Sequence, residues 1–224
     1  PRHHSSQLFI FKKGGNFFGT ISLEENKKIL SLLIPISKTR KIQIVKNLET
    51  ENMNRLEILN KALEYFPMFS ISLIKVSSFW ESKSYPNKNQ PNFINVVSEV
   101  QSELNPFQTL YSLKKIEIIL GRKINSRWGN RVLDLDILAA GSLILPNLRI
   151  FNKWLKMPLK QQMQNQPNQL ILPHPRIQDR LFVLKPLSEI DPDWMHPVLN
   201  KKPFELIDGN NWNEENLLSC LLYT

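Results

Sequence analysis

The chain has 224 residues, of which 42% are hydrophobic and 22% are charged, and this composition excludes a fibrous or largely disordered protein. One cysteine, Cys220, excludes an intramolecular disulfide and a cysteine-rich metal site, so we expect a cytoplasmic protein in a reducing compartment. The net charge of +9 is compatible with binding to nucleic acid, to an anionic membrane surface or to a polyphosphate ligand, and it does not distinguish among these partners. No apolar run is long enough for a bilayer, so no membrane association is expected.

The N-terminal part of the chain lacks a clear periodic pattern. Residues 1–41 are basic and mixed, and we treat them as an N-terminal extension of unknown role. Residues 42–45, Ile-Gln-Ile-Val, have the apolar pattern of a short strand. The main domain is therefore expected to begin at residue 42.

A helix and two strands are predicted next. The helix has an apolar face that ends before Pro67, formed by Leu56, Leu59, Leu63 and Phe66. Residues 71–80 and 93–104 resemble strands, and the loop between them is rich in proline and asparagine.

The second helix has well-marked ends. Asn105 suits its N-cap, Pro106 its first turn and Gly121 its C-terminal stop. Residues 132–138 then alternate as a strand does, which completes the order βαββαβ. This order predicts an α+β, ferredoxin-like fold, an antiparallel sheet with its helices packed on one face.

The sequence also predicts the limits of this domain, an insertion within it and a segment after it. We expect it to cover residues 42–200, with residues 142–169 as a long inserted loop because they are rich in Asn, Gln and Pro. Residues 201–224 are expected to form a C-terminal tail.

The strongest chemical signal is the motif Asp134-Leu135-Asp136 within the last predicted strand. Side chains alternate along a strand, so both carboxylates emerge on one face. Two neighbouring carboxylates suit a hard divalent cation that also keeps waters and phosphate oxygens, which favours magnesium. The alternative is an ordinary solvent-facing strand with two acidic residues.

Cationic side chains cluster near this pair in sequence. Arg122, Arg127 and Arg131 lie in the loop before the strand, with Trp128 among them, and His174 and Arg180 follow it. Guanidinium groups beside a magnesium site are typical of polyphosphate binding. By itself, His174 is more often a structural residue.

A flat organic ligand is a further hypothesis. Aromatic rings of Phe93 and Phe182 could sandwich such a ring while the amide of Asn95 contacts its polar edge. From the sequence alone, ordinary core and turn positions are the favoured interpretation of Phe93 and Asn95.

Five segments taken together resemble the ordered motifs of the 6-hydroxymethyl-7,8-dihydropterin pyrophosphokinase family. They are residues 76–82, 90–95, 116–122, 127–137 and 173–184, and the resemblance extends over residues 42–197. It implies an enzyme of folate biosynthesis that binds ATP, two Mg²⁺ ions and the reduced pterin. The hydroxymethyl oxygen then attacks the β-phosphorus of ATP and AMP leaves.

The resemblance also implies a role for each matching residue. Asp134 and Asp136 correspond to the metal-binding aspartates, and Asp134 to a group that helps to deprotonate the hydroxyl. Arg122 and Arg131 correspond to catalytic arginines of the family. The ATP-binding positions are Glu117, Arg122, Arg127, Trp128, Arg131, Ile137, His174 and Arg180. The pterin-binding positions are Ser82, Tyr85, Phe93, Asn95 and Phe182.

Some positions depart from the family pattern. Residues 46–52 contain no glycine where the family has a Gly-Ser-Asn turn, and Ile124 replaces a basic residue. A catalytically weak or inactive relative that keeps the fold and nucleotide binding is therefore the alternative. A nucleic-acid-binding domain is disfavoured, because Asp134 and Asp136 would repel phosphate without a metal. Association with other folate-pathway enzymes is compatible with the sequence.

Overall fold

The computed structural model describes residues 6–12, 54–83, 92–121, 133–165, 167–212 and 218–221. Its strands are β1 (Ser6–Lys12), β2 (Ser72–Val76), β3 (Phe79–Ser82), β4 (Phe93–Gln101), β5 (Leu133–Ala140) and β6 (Leu218–Leu221). Its helices are α1 (Arg55–Tyr65), α2 (Pro106–Ile119), α3 (Leu148–Leu155), α4 (Leu159–Gln164), α5 (Leu181–Ile190) and α6 (Pro203–Asp208). The predicted α+β class is confirmed.

Helix α1 forms where its apolar period predicts it. The side chain of Asn54 accepts hydrogen bonds from the backbone of Leu56 and Glu57, and the Glu57 carboxylate accepts one from the Asn54 N–H. This reciprocal cap satisfies amides that the first helical turn leaves without intrahelical partners. The helix ends in a 3₁₀ turn, Phe66–Phe69, that contains Pro67.

Helix α2 also has the predicted ends. The Asn105 side chain accepts from the Gln108 N–H, Pro106 is in the first turn, and Gly121 has a φ of 95°. Such a positive φ suits glycine, which has no Cβ to clash. Leu113 and Ile116 on this helix are fully buried.

The sheet has the order β5-β1-β4-β3-β6, and β2 pairs with β4 beyond the end of β3. Strand β1 is parallel to both β4 and β5, whereas β2 and β3 are antiparallel to β4, and β6 to β3. The predicted antiparallel arrangement is therefore correct for the pairs among β2, β3, β4 and β6, whereas both pairs made by β1 are parallel. Residues 6–12, which had no predicted role, provide this interior strand between β5 and β4, while residues 42–45 lie outside the described residues.

The strand predicted over residues 71–80 is two strands, β2 and β3. The break between them is at Ser77, whose hydroxyl accepts a hydrogen bond from the Val97 N–H, and at Ser78, whose N–H donates to the Glu189 carboxylate at 2.7 Å. The Glu189 carboxylate also accepts from the Trp80 indole. These contacts attach α5 to the start of β3.

Helices cover both faces of the sheet. Val96 packs with Leu59 of α1 and Leu113 of α2 in one core cluster, whereas Val97 packs with Leu184 of α5 in another. Adjacent strand residues point to opposite faces, so α5 lies opposite α1 and α2. The expectation that helices pack on one face is therefore wrong for α5, a helix that the sequence patterns did not predict and whose apolar side chains pack on Val97.

The segment predicted as an inserted loop contains helices α3 and α4. Phe151 of α3 is fully buried, so this segment contributes a large side chain to the interior. Within the described ranges, no helix has both the length and the apolar character needed to cross a bilayer.

Candidate active site

The two aspartates of β5 lie side by side on the α5 face of the sheet. Leu133, Leu135 and Ile137 are buried in the cluster beneath α1 and α2, so the alternating Asp134 and Asp136 face the other way. Their side chains are 19% and 32% exposed. A partly exposed carboxylate pair can contact a cation and still be reached by a ligand.

The segment before α5 brings cations to this pair. The His174 N–H donates to the Leu138 carbonyl at 2.7 Å, which fixes the segment against β5. Burial and the neighbouring Arg176 lower the pKa of Arg180 to about 10, while the negative charges of Asp136 and Asp134 oppose that shift. Arg180 is thus close enough to interact with both aspartates and remains protonated at neutral pH.

His174 is held as a neutral imidazole. Its Nδ1 accepts a hydrogen bond from the Arg176 N–H at 3.2 Å. Burial, followed by the positive charges of Arg180 and Arg176, lowers the pKa of His174 well below its usual value. Because Nδ1 is the acceptor, the proton is on Nε2, which can donate to an oxygen of a ligand.

Asn95 of β4 faces the same side of the sheet as the aspartates. Its Nδ2 donates to the Trp80 carbonyl at 3.1 Å and to the Ser82 hydroxyl at 2.9 Å. The side chain is fully buried, and its Oδ1 has no hydrogen-bond partner among the described residues. A buried acceptor without a donor is costly unless a ligand supplies one.

The two aromatic candidates lie in different elements, Phe93 in β4 and Phe182 in α5. Phe93 is half-buried and lies opposite Ser82 in the β3–β4 pair, two residues from Asn95 and therefore on its face. Phe182 packs against the α5 core cluster, and the Arg180 guanidinium lies 5.8 Å from its ring centroid.

The free edge of β5 is closed by two side chains of α2. The Glu117 carboxylate accepts from the Leu135 N–H at 2.7 Å, and the Lys114 ammonium donates to the Leu135 carbonyl at 2.7 Å. Glu117 is fully buried, and its Oε1 also accepts from Lys114 at 2.6 Å. These groups take the place of a neighbouring strand.

Lys114 was not predicted as a site residue. Its Nζ lies 3.8 Å from Asp134 Oδ1 and 3.6 Å from Asp136 Oδ1. The available signal was its spacing of three residues from Glu117 on one helix, which makes the two side chains neighbours.

One described residue that was predicted for the site, Ile137, is separate from this cluster. Ile137 is buried in the core beneath α1 and α2, on the face opposite the aspartates. Five further predicted positions lie outside the described residues, namely Tyr85, Arg122, Arg127, Trp128 and Arg131.

The donor set fits magnesium. In the described part of the chain, no three His, Cys, Asp or Glu side chains group together as a metal cage. Magnesium commonly binds one or two carboxylates and completes its shell with waters and substrate phosphates. An α+β protein with such a pair beside clustered cations has the arrangement typical of enzymes that transfer groups from nucleoside polyphosphates.

Comparison with known proteins identifies the family. Residues 47–192 match the family model of 7,8-dihydro-6-hydroxymethylpterin-pyrophosphokinase, and the chain belongs to that family. The described candidates, from Ser82 to Phe182, all lie within this match, whereas β1 precedes it.

Similar proteins carry the corresponding names. A 2-amino-4-hydroxy-6-hydroxymethyldihydropteridine pyrophosphokinase of Aquifex aeolicus is 33% identical over 66% of this chain and 79% of its own length. The enzyme of that name from Bacillus subtilis is 38% identical over 54% of this chain and 60% of its own length. The folic acid synthesis protein fol1 of Pneumocystis carinii is 37% identical over 65% of this chain, which spans only 17% of that relative.

Proposed function

We propose that this chain transfers diphosphate from ATP to 6-hydroxymethyl-7,8-dihydropterin, a step of folate biosynthesis, with two Mg²⁺ ions. The bond that forms joins the hydroxymethyl oxygen to the β-phosphorus. The bond that breaks joins the β-phosphorus to the oxygen bridging to the α-phosphorus, and AMP leaves. The single observation that carries the proposal is the pair Asp134 and Asp136 on one face of the sheet, within charge-interaction range of Arg180.

The carboxylate pair would hold magnesium, which when bound neutralises charge on the phosphates. Asp134 is the less exposed of the two, and we assign it the additional role of accepting the hydroxyl proton. Asp136 is more exposed and open to a ligand that approaches from solvent.

Arg180 and His174 would bind the phosphates. Arg180 keeps its charge near neutral pH despite burial and can hold phosphate oxygens through two N–H groups. Neutral His174 donates from Nε2 without adding charge. Positioning and charge neutralisation of this kind are the main contributions a protein makes to phosphoryl-group transfer.

Asn95 would bind the polar edge of the pterin. The hydrogen bonds to Trp80 and Ser82 fix the amide plane and direct Oδ1 as an acceptor, which suits the N–H groups of a pterin edge. Phe93 and Phe182 would supply the ring faces, and Tyr85 would complete the pterin loop.

An AMP-release assay with the full chain, ATP, Mg²⁺ and the reduced pterin tests the proposal. Each component is omitted in turn. AMP that requires both pterin and Mg²⁺ supports the function. Folded protein that binds an ATP analogue but releases no AMP would instead identify an inactive relative.

A further inference from the structure

One ammonium group on α2 faces three carboxylates at the edge of β5. Lys114 Nζ donates to Glu117 Oε1 at 2.6 Å and lies 3.6 and 3.8 Å from Asp136 and Asp134. Three of these four side chains are thus acidic, and the ammonium lies among them.

The position of this ammonium is fixed by contacts other than those to the aspartates. Its hydrogen bonds to Glu117 and to the Leu135 carbonyl use two of its three N–H groups. The distances to the aspartates exceed a good hydrogen bond but permit a strong charge interaction. Lys114 therefore acts on the pair as a fixed charge that a bound cation would not easily displace.

A fixed positive charge opposes a second cation at the same carboxylates. The side chain of Lys114 is 26% exposed, so water screens its charge only in part. The pair alone then binds a divalent cation weakly, whereas phosphate oxygens of a nucleotide add negative charge and further ligands.

We propose that Lys114 is a positioning residue that sets the divalent-cation affinity of Asp134 and Asp136 and makes tight binding depend on the nucleotide. This inference rests on the proposed function, because it assumes that the aspartates hold the metal. The neighbouring Lys115 provides a matched control, since its Nζ lies over the Tyr111 ring, 4.4 Å from the centroid.

The test measures Mn²⁺ binding to the full chain without nucleotide, by the electron paramagnetic resonance signal of free Mn²⁺. Removing one unit charge near a divalent cation should tighten binding roughly tenfold in Lys114→Gln. Lys114→Arg keeps the charge and should stay within about twofold of the parent. The control Lys115→Gln should also stay within about twofold.

A second background guards against misfolding, because Lys114→Gln removes the ammonium that the buried Glu117 carboxylate contacts. In the Glu117→Gln variant the carboxylate charge itself is absent. Adding Lys114→Gln there should again tighten Mn²⁺ binding about tenfold relative to Glu117→Gln alone.

The outcomes separate this inference from the proposed function. Mn²⁺ binding that Asp136→Asn abolishes but Lys114→Gln leaves unchanged in both backgrounds overturns the role of Lys114 and keeps the metal site. Mn²⁺ binding that Asp136→Asn does not affect, or no binding by the parent and by Lys114→Gln alike, overturns the metal assignment and this inference together.

Discussion

Asn95 and Asp134 both lie opposite Gln7, one in β4 and the other in β5, on either side of β1. Residues opposite one another in a sheet share a face. Strands β4 and β5 flank β1 and are therefore two strand spacings, about 10 Å, apart. The buried amide and the carboxylate pair therefore face one region of the molecule. A ring bound at Asn95 can extend its hydroxymethyl arm toward the aspartates.

Replacing Asp136 tests the metal assignment. Asp136→Asn keeps the shape of the side chain but removes a charged ligand, so AMP release should fall at least about a hundredfold. Asp193→Asn is the control, because Asp193 is 82% exposed and pairs with Lys202 away from the site. Equal activity of Asp136→Asn and the parent would contradict the assignment.

Replacing Asn95 tests the pterin pocket. Asn95→Ala removes the buried acceptor, so the KM for the pterin should rise about tenfold or more while the KM for ATP changes little. Ser82→Ala removes only the hydroxyl that orients the amide, and a smaller rise is expected. An increase in the KM for ATP alone would place Asn95 on the nucleotide instead.

Replacing Arg180 tests the phosphate contact. Arg180→Gln removes the guanidinium that interacts with both aspartates, and the KM for ATP should rise roughly tenfold to a hundredfold. Arg149→Gln removes the same charge from the exposed surface of α3 and should leave the KM for ATP unchanged. Initial rates over a range of ATP concentrations measure both. Similar kinetics for the two variants would exclude Arg180 from phosphate binding.

The buried His196 should make stability depend on pH. Its Nδ1 accepts from the backbone N–H groups of Val198 and Leu199, and its ring contacts Trp194. Burial lowers the pKa of His196 to about 4, from an ordinary value of 6.5. As pH falls through this window the unfolded chain binds the proton first, so the free energy of unfolding decreases, by about 3 kcal/mol in total.

Urea unfolding at pH 7 and at pH 4.5 measures this effect. His196→Asn places an amide oxygen near the position of Nδ1 but cannot be protonated, so its stability should fall less between the two pH values. The same fall in parent and variant would show that other groups cause the pH dependence.

Local patterns in the sequence determined helices α1 and α2 and the carboxylate pair. The caps of α1 and α2 are formed by residues close together in sequence, Asn54 with Glu57 and Asn105 with Gln108. Such caps can be predicted from the sequence without knowledge of the fold. The common face of Asp134 and Asp136 follows from strand alternation alone. The family motifs were readable in the same way, because each occupies a short segment.

Only the tertiary structure decided what surrounds that pair. The place of β1 between β5 and β4 depends on register with strands more than eighty residues away, and no local pattern specifies such pairing. The packing of α5 on the second face brings Arg180 to the aspartates, and the closure of the β5 edge brings Lys114. Contacts between distant segments depend on how the whole chain packs, so the sequence by itself left the surroundings of the aspartates open.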